Sequence, residues 1–338
     1  MLRTPSPSAT HADLRPAELN DQPLPTASPK VVPLKERQPG WAADFVYADG
    51  RVRVLKTGAD LKLDWTLASE ALLWFAYYLV VAARSLWVRL TKPTGPRLWF
   101  APDSPRPWYL ISAAAAWGGV RRARSPREAD AAFYFDDSTW SPPCIPGHAK
   151  RFNFACTDVS KSRVAEVFEQ VFGYPLAVDP QSWSGPAVEK GELNGVHDGR
   201  VVQCPTTPQP GKTYQRLIDT AEGDYSYDLR TPCVGGRPVV VWVKRKPLDN
   251  RFSIHNLAVM AQAPETVYSP RELKQIARFA AAMGLDWGGL DILRDGPSGR
   301  IYIVDVNKTD VGPVIALSWR DKFRSTDALS KALRALIG

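Results

Sequence analysis

Residues 289–307 read GLDILRDGPSGRIYIVDVN, two apolar, β-branched runs joined by Asp295-Gly296-Pro297-Ser298-Gly299. Runs of this kind form strands, and the Gly/Pro-rich break between them predicts a hairpin. Pairing centred near Ser298 sets Asp291 opposite Asp305. Directly opposed residues have Cβ atoms about 4.5–5.5 Å apart, where like charges destabilise. The two-residue period of a strand puts Asp305 and Asn307 on one face. Asp291, Asp305 and Asn307 therefore converge at one end of the hairpin. Charge beside a buried surface is costly unless it is paired or holds a metal. Oxygen ligands with positions left for phosphate oxygens suit magnesium. The alternative is an acidic hairpin whose carboxylates face water. Lys308 and Asp310 follow directly in IYIVDVNKTD (301–310), and either belong to the site or cap the strand.

Upstream, PAVEKGELNGVHDGRVV (186–202) holds Lys190 at the end of one strand, with Gly191, Gly195 and Gly199 before the next. Glycines let the backbone approach an anion closely, and exposed N–H groups cradle phosphates. His197 in the same loop either touches phosphate or is solvated. PQPGKT (208–213) resembles the end of a Walker A loop, but Thr206 stands where its first glycine is required and prolines interrupt it, so it is rejected. Arg230, Lys244, Arg245, Lys246 and Arg251 form a basic cluster ahead of the acidic hairpin. Lys244 and Lys246 share a strand face and Arg245 points away. Such cations beside a carboxylate–magnesium site complete a polyphosphate pocket. Their alternative role is a solvated edge strand that resists aggregation.

Working outward, residues 1–39 are Pro-rich without apolar periodicity and read as a disordered tail. A hairpin turned at Asp49-Gly50 follows. ALLWFAYYLVVAA (71–83) is an apolar helix of about 20 Å, short of the roughly 30 Å hydrocarbon core. It is read as buried or partner-facing, with a membrane-surface helix helped by Arg84, Arg89 and Lys92, or a span, as alternatives. Residues 97–140 alternate strand, helix and strand. SRVAEVFEQVF is an amphipathic helix, capped by Asp158 or Ser160 and ended by Gly173. Strands dominate from 186, a helix covers 270–283, and a C-terminal helix covers 326–337. The expected fold class is α+β behind a small α/β unit.

The net charge of +8 and pI near 9.3 favour an anionic partner. No nucleic-acid motif or dense Lys/Arg stripe is present, so no nucleic acid is expected. Cys144, Cys156, Cys204 and Cys233 are widely spaced, which argues against zinc and a disulfide framework and for a reducing, cytoplasmic setting. No signal pattern opens the chain, so secretion is not expected.

Taken in order, these parts resemble the ATP-grasp superfamily over about residues 157–338. The resemblance implies two α+β subdomains gripping ATP, preceded by an α/β domain. It divides the chain into a tail (1–39), a hairpin plus apolar aromatic helix (40–95), a pre-grasp domain (96–156) and a catalytic domain (157–338). It implies ATP and Mg2+ as cofactors. Lys161 and Lys190 look like the nucleotide lysines, with Lys150 an alternative to Lys161. Gly195 and Gly199 look like the phosphate loop, and Gln215, Leu217 and Ile218 like the adenine segment. Asp291, Asp305 and Asn307 look like the metal ligands, although the family's usual glutamate is Asp305 here. Arg230 and Lys244 look like basic groups near the transferred phosphate. The implied activity is a carboxylate–amine ligase working through an acyl phosphate. A kinase or phosphotransferase is the runner-up, and a non-catalytic nucleotide-binding scaffold at a membrane-associated assembly is the alternative class. The expected partners are ATP and a carboxylate or phosphate-acceptor substrate. Peripheral membrane contact through residues 71–90 is an open alternative.

Overall fold

A hairpin is the first element described. The computed structural model describes residues 44–54, 60–142, 150–195, 198–250 and 256–338. The Pro-rich tail, Cys144, His197 and Arg251 lie outside them. Strands β1 (Phe45–Ala48), β2 (Arg51–Val54) and β3 (Asp60–Lys62) form an antiparallel sheet in that order. Its first turn has positive φ at both Asp49 (50°) and Gly50 (68°), as a two-residue hairpin turn of matching twist requires.

Helix α1 spans Trp65–Thr91, with the Asp64 side chain accepting from the Leu67 N–H at 3.0 Å. It is longer than expected at both ends and runs through Arg84. Only Tyr77, Val81 and Ser85 are buried, so the expectation of a buried helix fails for most of its circumference. By length and composition it is the one helix among the described residues apolar enough to cross a membrane.

Next come β4 (Arg97–Pro102), α2 (Leu110–Trp117), β5 (Arg121–Arg122), β6 (Ala131–Phe135) and β7 (Arg151–Phe152). The strands form a parallel sheet in the order β5-β4-β6-β7. Every residue of AAFYF in β6 is buried, the continuous apolar run of a parallel strand covered on both faces.

Helix α3 (Lys161–Phe172) starts at Ser160, whose side chain accepts from Arg163 N, and ends at Gly173 with φ +77°. The caps fall where the sequence sets them. A small antiparallel sheet, order β10-β8-β9, comprises β8 (Gly185–Gly191), β9 (Arg200–Cys204) and β10 (Lys212–Arg216). PQPGKT leads into strand β10, not a helix, which agrees with its rejection as a Walker loop.

The large sheet takes β11 (Ala221–Glu222), β12 (Tyr225–Val234), β13 (Arg237–Pro238), β14 (Val241–Pro247) and β15 (Ala258–Gln262). After helices α4 (Pro264–Val267) and α5 (Pro270–Ala282), it is completed by β16 (Trp287–Arg294) and β17 (Ile301–Asn307). Its main order is β15-β14-β12-β16-β17, with β11 and β13 pairing β12. Helices α3 and α5 pack on it through Val164, Phe168, Ile276 and Phe279, all fully buried with Ile292 and Ile303. Helix α6 (Trp319–Ile337) closes the chain and starts earlier than the expected 326. Its Leu329 and Leu333 share a core with Leu98 and Phe133 of the parallel sheet and with Trp242 and Trp287 of the large one. The class is α+β with an α/β unit ahead of it, as the sequence led one to expect.

Candidate active site

Strands β16 and β17 pair with Asp291 opposite Asp305 and Gly289 opposite Asn307, with a register irregularity between Asp291 and Ile292. The hairpin therefore brings its carboxylates together as its periodicity requires. Each is neutralised by a cation from a different element. Lys161, the first residue of α3, places Nζ 2.5 Å from Asp305 Oδ1. Arg230 of β12 sits opposite Asp291 in the sheet and donates to its Oδ2 at 2.8 Å. Lys244 Nζ lies 3.8 Å from the other oxygen, Oδ1.

Burial works against an ionised Asp291, but Arg230 and Lys244 outweigh it and hold the carboxyl well below the usual carboxylate range. Arg230 responds in kind. Burial disfavours its charge, yet Asp291 and Asp310 overcome that and raise its pKa. Asp310, only 2% exposed, accepts from Arg230 Nη2 at 2.5 Å. Burial pushes its pKa up, and the guanidinium offsets this only in part. Asp310 thus belongs to the cluster, while Lys308 turns away to donate to Ser141 Oγ. Asn307, with its amide oxygen turned toward Arg230, accepts at 2.6 and 3.2 Å.

Asp310 is held in place by backbone. Its carbonyl accepts from Leu110 N at 2.9 Å, and Gly312 N donates to the Trp108 carbonyl at 3.1 Å. Gly289 supplies the space: a Cβ there would meet Arg230 Nε at 2.8 Å and collide with the Asp310 carboxylate. Gly289→Ala is therefore expected to lower stability by about 1–3 kcal/mol through overpacking. A thermal melt unchanged from wild type would contradict this placement.

The small sheet covers the hairpin from the other side. Asn194, in the Gly-rich loop, accepts from Lys161 Nζ at 3.3 Å, and its own N–H donates to Thr139 Oγ1 at 2.8 Å. Gly195 takes the left-handed conformation, with φ +79°. Gly191 N donates to Asp198 at 3.0 Å, which Lys212 also binds at 2.5 Å, so an acidic side chain already satisfies this loop N–H. Gly199 is half-buried immediately before β9.

Lys190 Nζ donates to Gln215 Oε1 at 2.8 Å, across the β8–β10 pair. Burial drives its pKa down to about 8, with Asp305 opposing and Lys161 reinforcing that fall. Gln215 Nε2 is buried without a hydrogen-bond partner. Leu217 is half-buried, and the Ile218 side chain lies in the main core. Of the two lysines left open, Lys161 reaches the hairpin, while Lys150 donates to the Ile337 carbonyl at the end of α6. In the basic cluster Lys246 pairs with Asp228 at 2.6 Å, and Arg245 stacks over Tyr225 at 4.6 Å, away from the carboxylates.

Asn194 and Asn153 are additional to the expected set, and of the two residues left open between site and cap, Asp310 joins it. Asn153 is fully buried with φ +60° and braces the start of β16. Its Nδ2 donates to the Trp287 carbonyl at 2.7 Å, and its Oδ1 accepts from Asp286 N and Trp287 N. An Asn before a glycine and an Asp just past the strand end were signals for Asn194 and Asp310. Nothing local marks Asn153.

Among the described residues no group of three or more His, Cys, Asp or Glu side chains could hold a metal ion. The oxygen set is two aspartates and an asparagine. Asp291 Oδ1 is buried without a hydrogen-bond partner, as is Asp310 Oδ2. An orphaned carboxylate oxygen beside Asp305 and Asn307 is what a hard divalent cation would complete, so the residues fit magnesium.

No family model matches the chain, and no curated protein does. Solved structures are similar in fold. ATP-grasp ligase PsnB complexed with minimal precursor matches with a TM-score of 0.47 and 13% identity, over 72% of this chain and 100% of that one. D-alanine–D-alanine ligase from Bacillus anthracis complexed with ATP gives 0.43 and 9%, over 72% and 97%. Macrocyclase MdnC bound with precursor peptide MdnA, from Microcystis aeruginosa MRC, gives 0.41 and 14%, over 70% and 98%.

Proposed function

We propose that this chain is an ATP- and magnesium-dependent enzyme of ATP-grasp type that joins a carboxylate to an amine through an acyl phosphate. The observation that supports it is the convergence of Lys161, Lys190, Arg230 and Lys244, from four separate elements, on the Asp291/Asp305 pair. Buried cations and carboxylates assembled at such cost to solvation point to a site for a polyanion and its metal. Lys161 and Lys190 bind the phosphates, and Arg230 and Lys244 draw charge from the phosphoryl group as it moves to the acceptor. Asp291, Asp305 and Asn307 would hold magnesium, which neutralises charge on the phosphate oxygens when bound. Gln215, whose Nε2 lacks a partner, together with Leu217 and the Ile218 backbone, takes the base. A phosphotransferase would share every one of these contacts, and the acceptor decides between the two. We place the enzyme in the cytoplasm at a membrane surface, a reading supported by the exposed apolar face of α1.

Calorimetric titration with ATP tests the site. Binding is expected in magnesium and at least about tenfold weaker in EDTA, one tenfold step being 1.4 kcal/mol. Lys190 keeps its proton below its pKa of about 8 and loses it above, so affinity is expected to fall as pH rises past that point. Lys190→Met should bind more weakly at neutral pH and show a flat profile. Absence of binding heat under all conditions overturns the proposal.

A further inference from the structure

Helix α1 and the cavity beside it are not used by the chemistry above. The helix carries Leu72 (68% exposed), Leu86 (59%), Trp87 (61%) and Leu90 (72%), with Phe75 and Leu79 also exposed. No acidic residue occurs from Ala71 to Thr91. At 1.5 Å per residue the helix is about 40 Å long, and a contiguous apolar surface of that length marks an interaction site. Trp65 and Trp87 stand toward its two ends, the placement of interfacial anchors.

The opposite face is committed to the protein. Tyr77 Oη and Thr326 Oγ1 of α6 share a buried hydrogen bond of 2.7 Å, and Tyr77 stacks on Phe323 at 5.8 Å. Val88 packs where a Cβ on Gly119 would come within 2.5 Å of its Cγ1. Crossing a bilayer would strip these contacts, whereas lying in its interface keeps them.

Between α1 and the β4–α2 loop is a cavity of about 420 Å³. Tyr77 and Val81 of α1 and Ala113 of α2 line its apolar side, and Arg89, Arg106 and Arg122 its charged side. Arg106 pairs with Asp44 at 2.8 Å. Arg122 donates to Ser104 Oγ and feels Asp103 only through space. Among the described residues neither Arg89 nor Arg122 has a carboxylate within ion-pair distance. Three arginine side chains thus line a pocket whose apolar wall, Tyr77 and Val81, is the protein-facing side of the helix that carries the exposed apolar stripe. Guanidinium forks suit phosphate oxygens, and apolar walls suit the chains attached to them.

We propose that α1 lies in the interface of an anionic bilayer and that the Arg89/Arg106/Arg122 cavity takes the phosphate headgroup of a lipid. The inference rests on the membrane-surface placement and is independent of the ATP chemistry. The test is co-sedimentation of the full chain with vesicles of phosphatidylcholine alone or mixed with phosphatidylglycerol. Wild type is expected to bind mixed vesicles at least about tenfold more tightly, a preference that basic residues at a membrane surface supply. Leu79→Glu/Leu86→Glu should abolish binding to both vesicle types. Arg89→Gln/Arg122→Gln should retain weak binding and lose most of the preference, with wild-type melting in each variant. Equal binding to the two vesicle types, or a full preference kept by the arginine variant, overturns the headgroup site. No binding to either vesicle overturns the membrane placement itself. A dimer by light scattering that Leu79→Glu/Leu86→Glu dissolves, without vesicle binding, assigns the face to a second copy instead.

Discussion

Arg230→Ala is expected to lower folding stability by about 3–5 kcal/mol, the cost of stripping a buried ion pair of one partner. Arg230 is 8% exposed and its two carboxylate partners are both buried or partly so, at 2.8 and 2.5 Å. Its removal leaves Asp291 and Asp310 without their guanidinium, with Lys244 at 3.8 Å from Asp291 and Lys246 acting only through space. The pH dependence identifies the cause. In the wild type the depressed Asp291 pKa contributes stability that is present above the unfolded-state value of about 3.9 and lost as pH falls through the folded one. Without Arg230, burial raises both carboxyl pKa values above those of the unfolded chain, so the variant loses stability as pH rises. The gap between wild type and variant should therefore narrow as pH is lowered from 8 to 5 in denaturant melts. A gap independent of pH would assign the loss to packing alone. Arg230→Lys keeps the charge but cannot reach Asp291 and Asp310 with one planar fork, and is expected to fall between the two.

Asp305→Ala is expected to reduce magnesium-dependent ATP hydrolysis by about 100-fold or more, the scale of losing one preorganised charge from a transition-state site. Its fold should survive. The Asp305 side chain is 22% exposed and its loss strands no carboxylate, while the buried Lys161 ammonium keeps Asn194 Oδ1 at 3.3 Å, so the stability cost is expected to be smaller than that of Arg230→Ala. A melting temperature clearly above that of Arg230→Ala with hydrolysis gone would separate the two variants. Hydrolysis equal in wild type and Asp305→Ala would sink the enzyme reading as placed here.

Much of the site was legible because its parts are short-range. The Asp291/Asp305 opposition needs only a turn between two alternating runs, and the hairpin delivers that register. Ser160 and Gly173 delimit α3 by the same local logic. The apolar pattern shows the C-terminal helix only over 326–337, because it opens after Ser318 with polar residues, two of which are buried. Lys322 reaches the Ile315 and Leu317 carbonyls at 2.6 and 2.8 Å, a use for a lysine that no hydrophobic pattern displays. Glu70 and Arg84 flank the uninterrupted apolar run at 71–83, yet Arg84 stacks over Trp117 at 5.7 Å and helix α1 continues past it.

Periodicity, turn residues and caps thus determined the strands, the helix ends, the α+β class and the acidic hairpin. Tertiary structure decided what neutralises that hairpin. Lys161 and Asp305 are 144 residues apart and Arg230 and Asp310 are 80 apart, and they meet only because α3 and β12 flank the same two strands. It also decided that α1 turns one face to α2 and α6 and leaves the rest apolar and exposed. A helix's own sequence sets how much of it is apolar, but the surface it packs against decides which part is buried.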